Sequence, residues 1–294
     1  MTELKEQAAS LSVEGFFDEA TNSITYLVAD RATRFAAIID PVLDFDPVSG
    51  HVDTAPAGRV LEAADAADLK VVWVLETHAH ADHLSAADHI RRKTAAKLGA
   101  GVGIREVQEV FGAQLGVEDI KTEGADFDLL VVDGDRIPLG GLEIEVIATP
   151  GHTPACVSYR IADAVFVGDT MFMPDYGTAR CDFPGGDARQ LYRSMHKILT
   201  LPRETRLFMC HDYKAPGRDQ FAWETTVGDQ LDRNVHVGGG VSEDDYVAMR
   251  EARDATLKLP KLLYPALQVN IRGGRMPPPD ANGIRYIKVP LSQA

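Results

Sequence analysis

Basic residues, cysteines and long apolar runs are scarce in this chain of 294 residues. Its 30 Lys and Arg stand against 44 Asp and Glu, a formal charge of −14. Nucleic acid and anionic membrane surfaces both demand a cationic footprint, so neither is an expected partner. The three cysteines, Cys156, Cys181 and Cys210, are odd in number, widely spaced and free of any CxxC pair. They argue against a disulfide framework and for a reducing, cytoplasmic setting. Apolar runs such as Val71–Leu75 and Val165–Val167 fall far short of the roughly 20 residues that span a bilayer. Residues 1–9 carry mixed charge and no apolar stretch, so no secretory signal is expected. There is no internal repeat and no low-complexity linker.

What the chain does hold is an ordinary apolar share, 45% of residues, enough at this length to bury about 75% of the surface exposed when unfolded. Ile24–Val28 and Phe35–Ile39 read as strands, followed by a loop rich in Asp, Pro, Gly and Ser from Asp44 to Gly58. Val60–Leu69 has helical spacing, and Val71–Leu75 reads as a strand buried on both faces. A helix is expected from Ser85 to Leu98, with Ser85 and Asp88 as its N-terminal cap and Gly99 as its left-handed stop. Leu142–Ala148 alternates with period two, and Val157–Ile161 and Val165–Val167 are short strands. Asp187–Leu199 is a helix stopped by Pro202, and Arg206–Met209 another strand. From about Asp219 the chain reads as mainly helical to Leu257, then irregular, with a strand-like Arg285–Leu291.

Four apolar strands each deliver a His or an Asp at the carboxyl end, the edge where ligand sites gather in layered α/β proteins. The first brings Thr77-His78-Ala79-His80-Ala81-Asp82-His83; later ones bring His152, Asp169 and His211. Three imidazoles and a carboxylate within six residues, at the end of a buried strand, would carry a desolvation cost with no packing gain unless they serve as ligands. Neutral imidazole and carboxylate suit zinc and iron. His51, His89, His196 and His236, scattered singly, read as ordinary surface or core histidines.

The order Asp40, His78-x-His80-x-Asp82-His83, His152, Asp169, His211 resembles the motif signature of the metallo-β-lactamase superfamily. The resemblance covers about residues 12–215. It implies an α/β fold, an αββα sandwich with the metal site at one edge: residues 1–218 as catalytic core and 219–294 as a C-terminal elaboration packed on it. The segments around His78, Pro150-Gly151-His152-Thr153, Gly168-Asp169, Tyr176-Gly177-Thr178-Ala179-Arg180 and His211-Asp212-Tyr213 are most similar to the persulfide dioxygenases; glyoxalase II is the near relative.

In the dioxygenases the resemblance implies one Fe(II) per chain, held by His78, His152 and Asp169. His80, Asp82, His83 and His211 would then hydrogen-bond around those ligands. In the two-metal relatives the same residues complete a second site, with zinc, one or two ions, as the alternative cofactor. The implied reaction is oxidation of a thiol persulfide such as glutathione persulfide by O₂ to sulfite and thiol, in sulfide detoxification; the alternative is a zinc-dependent glutathione thioesterase. Tyr213 and Arg180 are the candidate catalytic and substrate contacts, Arg180 through its carboxylate-matching fork, with a structural ion pair to Asp182 as the competing reading of Arg180 and Lys214 as a weaker contact. Asp40 is expected to be a structural acceptor, Cys156 and Cys210 core, and Cys181 a redox-sensitive position. Gln268-Val269-Asn270-Ile271-Arg272 and Met276-Pro277-Pro278-Pro279 lie in the elaboration, for which a cover over the site or a homodimer contact is the expectation.

Overall fold

A computed structural model describes residues 2–120 and 123–291. Strands apolar on both faces must be covered on both sides, and two six-stranded sheets do this by stacking on each other. The first sheet runs Leu11–Asp18, Ser23–Asp30, Phe35–Ile39, Lys70–Glu76, Lys97–Gly101 and Leu129–Val131. The second runs Arg136–Leu139, Leu142–Ala148, Val157–Ile161, Ala164–Phe166, Arg206–Phe208 and Glu224–Thr226. Between them lies a core that includes Tyr26, Ile39, Leu75, Tyr159 and Phe166.

Helices cover the outer faces. Ala55–Ala66, Ala87–Thr94, Ile104–Leu115 and Leu263–Asn270 pack on the first sheet through side chains such as Val60, Ile90, Phe111 and Leu267. Ala188–Leu199, Val227–Arg233 and Glu243–Asp254 pack on the second through Leu191, Met195, Val227 and Tyr246. The result is the α/β layered sandwich, helix, sheet, sheet, helix. No helix among the described residues is long and apolar enough to cross a membrane.

Several local expectations change. Residues 44–58 are not a plain loop: Val42–Asp46 and His51–Asp53 form a hairpin, its turn tied by Asp46 accepting from Val48 N–H and Ser49 Oγ. The next helix starts at Ala55, with Pro56 where a missing N–H is tolerated. The helix expected over Ser85–Leu98 is only Ala87–Thr94, because Ala95 turns left-handed (φ 60°) and Lys97–Gly101 is drawn into the first sheet beside Trp73–Glu76. Gly99 is therefore a strand residue. Ser85 Oγ still accepts from Ala87 N–H at 3.0 Å, but Asp88 pairs with Arg92 instead.

The boundary after residue 218 does not divide the molecule. Glu224–Thr226 completes the second sheet, and Leu263–Asn270 forms a helix where irregular chain was expected. Arg285–Leu291 is irregular rather than a strand, tied to the helix by Lys288 N–H donating to Gln268 Oε1.

Candidate metal centre

The strand Lys70–Glu76 ends in the loop His78–His83, and the loops after Leu142–Ala148, Ala164–Phe166 and Arg206–Phe208 bring His152, Asp169 and His211 to the same edge. Two strained backbones hold this edge. Asp40 sits at φ 50° and is buried; its carboxylate accepts from Thr77 N–H (2.7 Å), Thr77 Oγ (2.8 Å) and His80 Nε2 (3.1 Å). It is a structural acceptor. Gly168 sits at φ 52°, and a Cβ there would lie 2.6 Å from Thr77 Oγ1. Only glycine lets Asp169 approach the strand that carries His78.

The hydrogen bonds fix which imidazole nitrogen is bare. His152 Nδ1 lies 2.7 Å from the Arg180 carbonyl, which only accepts, so Nδ1 carries the proton and Nε2 the lone pair. His83 Nδ1 likewise donates to the Leu84 carbonyl at 3.1 Å, and His211 Nδ1 to the Asn22 carbonyl at 3.3 Å. Thr77 Oγ gives its proton to Asp40, so it accepts from His78 Nδ1 at 3.1 Å. Four imidazoles thus present bare Nε2 atoms to one region.

Those atoms converge on carboxylate. Asp169 Oδ2 lies 3.9 Å from His78 Nε2 and 3.6 Å from His152 Nε2, while Asp169 Oδ1 and Asp82 Oδ2 are each 3.4 Å from His211 Nε2. Ligand atoms of His78, His152 and Asp169 all lie within 4.8 Å of one another, as do those of His80, Asp82 and His83. Asp82 Oδ2, His83 Nε2, Asp169 Oδ1 and His211 Nε2 are buried without a hydrogen-bond partner. Orphaned atoms of this kind are costly unless a cation satisfies them. The residues fit a metal ion.

Titration tells the same story. Burial and the neighbouring imidazoles hold His78 well below its usual value and push His83 down to about 4, so both are neutral ligands at pH 7. Burial opposes charge on His211 as well, but the Asp82 and Asp169 carboxylates outweigh it and draw it well above its usual value. A metal cation would take the place of that proton. His80 is turned the other way round: its Nε2 faces Asp40 and, at 3.4 Å, Glu76, which leaves its buried Nδ1 without a partner as the free ligand atom.

A cavity of about 700 Å³ opens beside this cluster, lined by His78, Asp82, His152 and Asp169 at its floor. Phe172, Tyr176 and Tyr213 form one wall, the Tyr213 ring stacked on His211 with centroids 5.7 Å apart. Tyr213 thus lines the cavity beside the cluster. Arg180 also lines the cavity, but its fork is occupied by Asp182 at 2.5 and 2.6 Å and by the Lys258 carbonyl at 2.7 Å. It is not a free carboxylate receptor. Lys214 lies over the Phe221 ring at 4.2 Å and outside the cavity lining. Arg253 and Lys261 line the cavity with no carboxylate partner among the described residues. Cys181 is buried, and burial pushes its thiol up, as it pushes Cys156 up to about 12 and raises Cys210. None of the three is poised as a reactive thiolate.

A model of the metallo-beta-lactamase superfamily matches residues 22–211, from the carbonyl that accepts the His211 proton to His211 itself. The chain belongs to that superfamily. It is 51% identical over 292 residues to a probable metallo-hydrolase of Burkholderia pseudomallei, covering 96% of this chain and 99% of the relative. It is 33% identical over 208 residues to the mitochondrial persulfide dioxygenase ETHE1 of Homo sapiens, covering 70% of each chain. The crystal structure of ETHE1 from Myxococcus xanthus superposes with a TM-score of 0.73 at 32% identity, covering 90% of this chain and all of the other.

Besides the superfamily motif residues, which end at His211, several polar residues were not read from the sequence as part of the site. Glu76, Arg250, Asp254, His236 and Asn270 all bond to metal-bearing or cavity-lining segments. Each sits singly in an otherwise ordinary stretch. Polarity at the apolar positions of the C-terminal helices was the available signal.

Proposed function

We propose that the protein is an iron-dependent persulfide dioxygenase acting on a carboxylate-bearing thiol persulfide such as glutathione persulfide. The observation that carries this reading is that ligand atoms of His78, His152 and Asp169 gather within 4.8 Å of one another on the cavity lining. Two histidines and one carboxylate leave positions open, the arrangement of non-haem iron oxygenases. Similarity to the human and Myxococcus ETHE1 proteins supports the same reading.

His78, His152 and Asp169 would hold the ion. Bound Fe(II) would supply activation of O₂ beside the persulfide sulfur. The overall change is RSSH + O₂ + H₂O giving RSH and sulfite. The chain's own groups shape the approach: Phe172, Phe183 and Leu262 give the cavity apolar walls that limit water. Tyr213 offers a hydroxyl from the cavity wall, and Arg253 and Lys261, rather than Arg180 and Lys214, offer charge to carrier carboxylates. Asp169, with His211 beside it, keeps the two imidazole ligands in register.

A zinc hydrolase remains the second reading, because His80, Asp82 and His83 also gather and the Burkholderia relative is named a probable metallo-hydrolase. Metal content and oxygen uptake separate the two. One iron per chain with oxygen consumption on adding glutathione persulfide is expected; two zinc ions with cleavage of a glutathione thioester and no oxygen uptake would overturn it.

A further inference from the structure

The last third of the chain reaches back to the metal loops at two places. Asn270, buried at the end of the helix Leu263–Asn270, gives both Nδ2 protons to backbone carbonyls of the metal loop, His80 O and His83 O, each at 2.8 Å. Its Oδ1 accepts from Ser85 N–H at 2.7 Å. Three bonds from one amide thus grip residues 80–85 from outside. Independently, Arg250 and Asp254, 1% and 5% exposed and paired to each other at 2.6 Å, grip the segment behind His152. Arg250 donates to Thr178 O at 3.0 Å, and Asp254 accepts from Cys181 N–H at 2.8 Å. Between those two contacts lies the Arg180 carbonyl that orients His152.

We propose that the C-terminal helices are a working part of the metal centre, with Asn270 and the Arg250 and Asp254 pair as its positioning residues. Loop conformation sets where the bare nitrogens point, and groups that orient ligands in this way typically govern metal retention by about 10–100-fold. The proposal needs a bound metal only and is indifferent to which reaction the protein performs.

Gln268 provides the internal control. It lies on the same helix, is 1% exposed, and its amide bonds Tyr264 O and both Lys288 backbone groups, none of them in the metal loop. Full-length protein would be loaded with cobalt(II), and its release into excess EDTA followed by ligand-field absorption. Asn270→Ala is expected to release cobalt at least tenfold faster with an altered spectrum, whereas Gln268→Ala stays within about twofold of the parent. Should Asn270→Ala not fold, Arg250→Met is read instead against Arg189→Met, which loosens the same Glu243–Asp254 helix at its exposed Glu243 and Asp244 contacts. Unchanged release in the test variant, or equal acceleration in test and control, overturns the proposal.

Discussion

At the residue scale, Gly168 and Asp40 decide whether ligands can meet at all. Alanine at 168 would need a left-handed backbone, costing about 1–2 kcal/mol, with its Cβ against Thr77 Oγ1. Thr77 is the acceptor that leaves His78 Nε2 bare, so Gly168→Ala is expected to lower both the urea midpoint and the metal bound per chain. His236 supplies a second test. Its Nδ1 accepts from Thr178 N–H at 3.0 Å, and burial, with Arg250 and Arg253 nearby, pushes it down to about 4. The unfolded chain therefore takes up this proton first, near the ordinary value of about 6.5, and the folded state loses stability as pH falls from there to about 4. Urea titrations across that window should show the slope, and His236→Gln should make it shallower by one proton's worth, the buried His78 and His83 supplying a further part, with no effect of the substitution on the pH dependence above pH 7.

At the scale of elements, the hairpin Val42–Asp46 with His51–Asp53 hangs its tip over the cavity. Val48 is 94% exposed and lines the cavity, where its apolar side chain is within reach of a bound substrate. Replacing Pro47-Val48-Ser49 by glycines should raise KM about three- to tenfold, the worth of one modest apolar contact, with kcat and metal content unchanged. This hairpin also shows where sequence reading stops. Asp, Pro, Gly and Ser announce a turn, and they do form one, but pairing of its flanks with Leu84–Ser85 depends on long-range register that local composition does not carry. The reverse happened after Thr94, where helical periodicity continued and parallel pairing with Trp73–Glu76 won. The cluster of candidate ligands was legible because each member sits at the end of a strongly apolar strand. For Arg180 the ion pair with Asp182 was already visible in the sequence as the competing reading, and the fold adds the Lys258 carbonyl that fills the rest of its fork.

Taken whole, the molecule places carboxylates almost everywhere and cations selectively. A charge of −14 repels a small anion at long range, yet within about a Debye length, ~10 Å at 0.1 M salt, local groups dominate. Arg253→Ala and Lys261→Ala should together raise KM for a carboxylate-bearing substrate by tenfold or more and have little effect on one stripped of its carboxylates; equal losses for both substrates would contradict the assignment. Neither cation stood out in the sequence, since an isolated Arg or Lys on a polar helix end most often faces water.

Every candidate ligand lies within the first 211 residues, but Asn270 closes its grip on the loop from nearly sixty residues further on. During synthesis at 5–20 residues per second, that interval lasts about 3–12 s. For those seconds the growing chain displays a full set of imidazoles and carboxylates on an unfastened loop. If Asn270 governs metal retention as proposed, selection among competing metal ions would be deferred until residue 270 has cleared the ribosome, and the ion kept would be the one preferred by the finished geometry rather than the first one met.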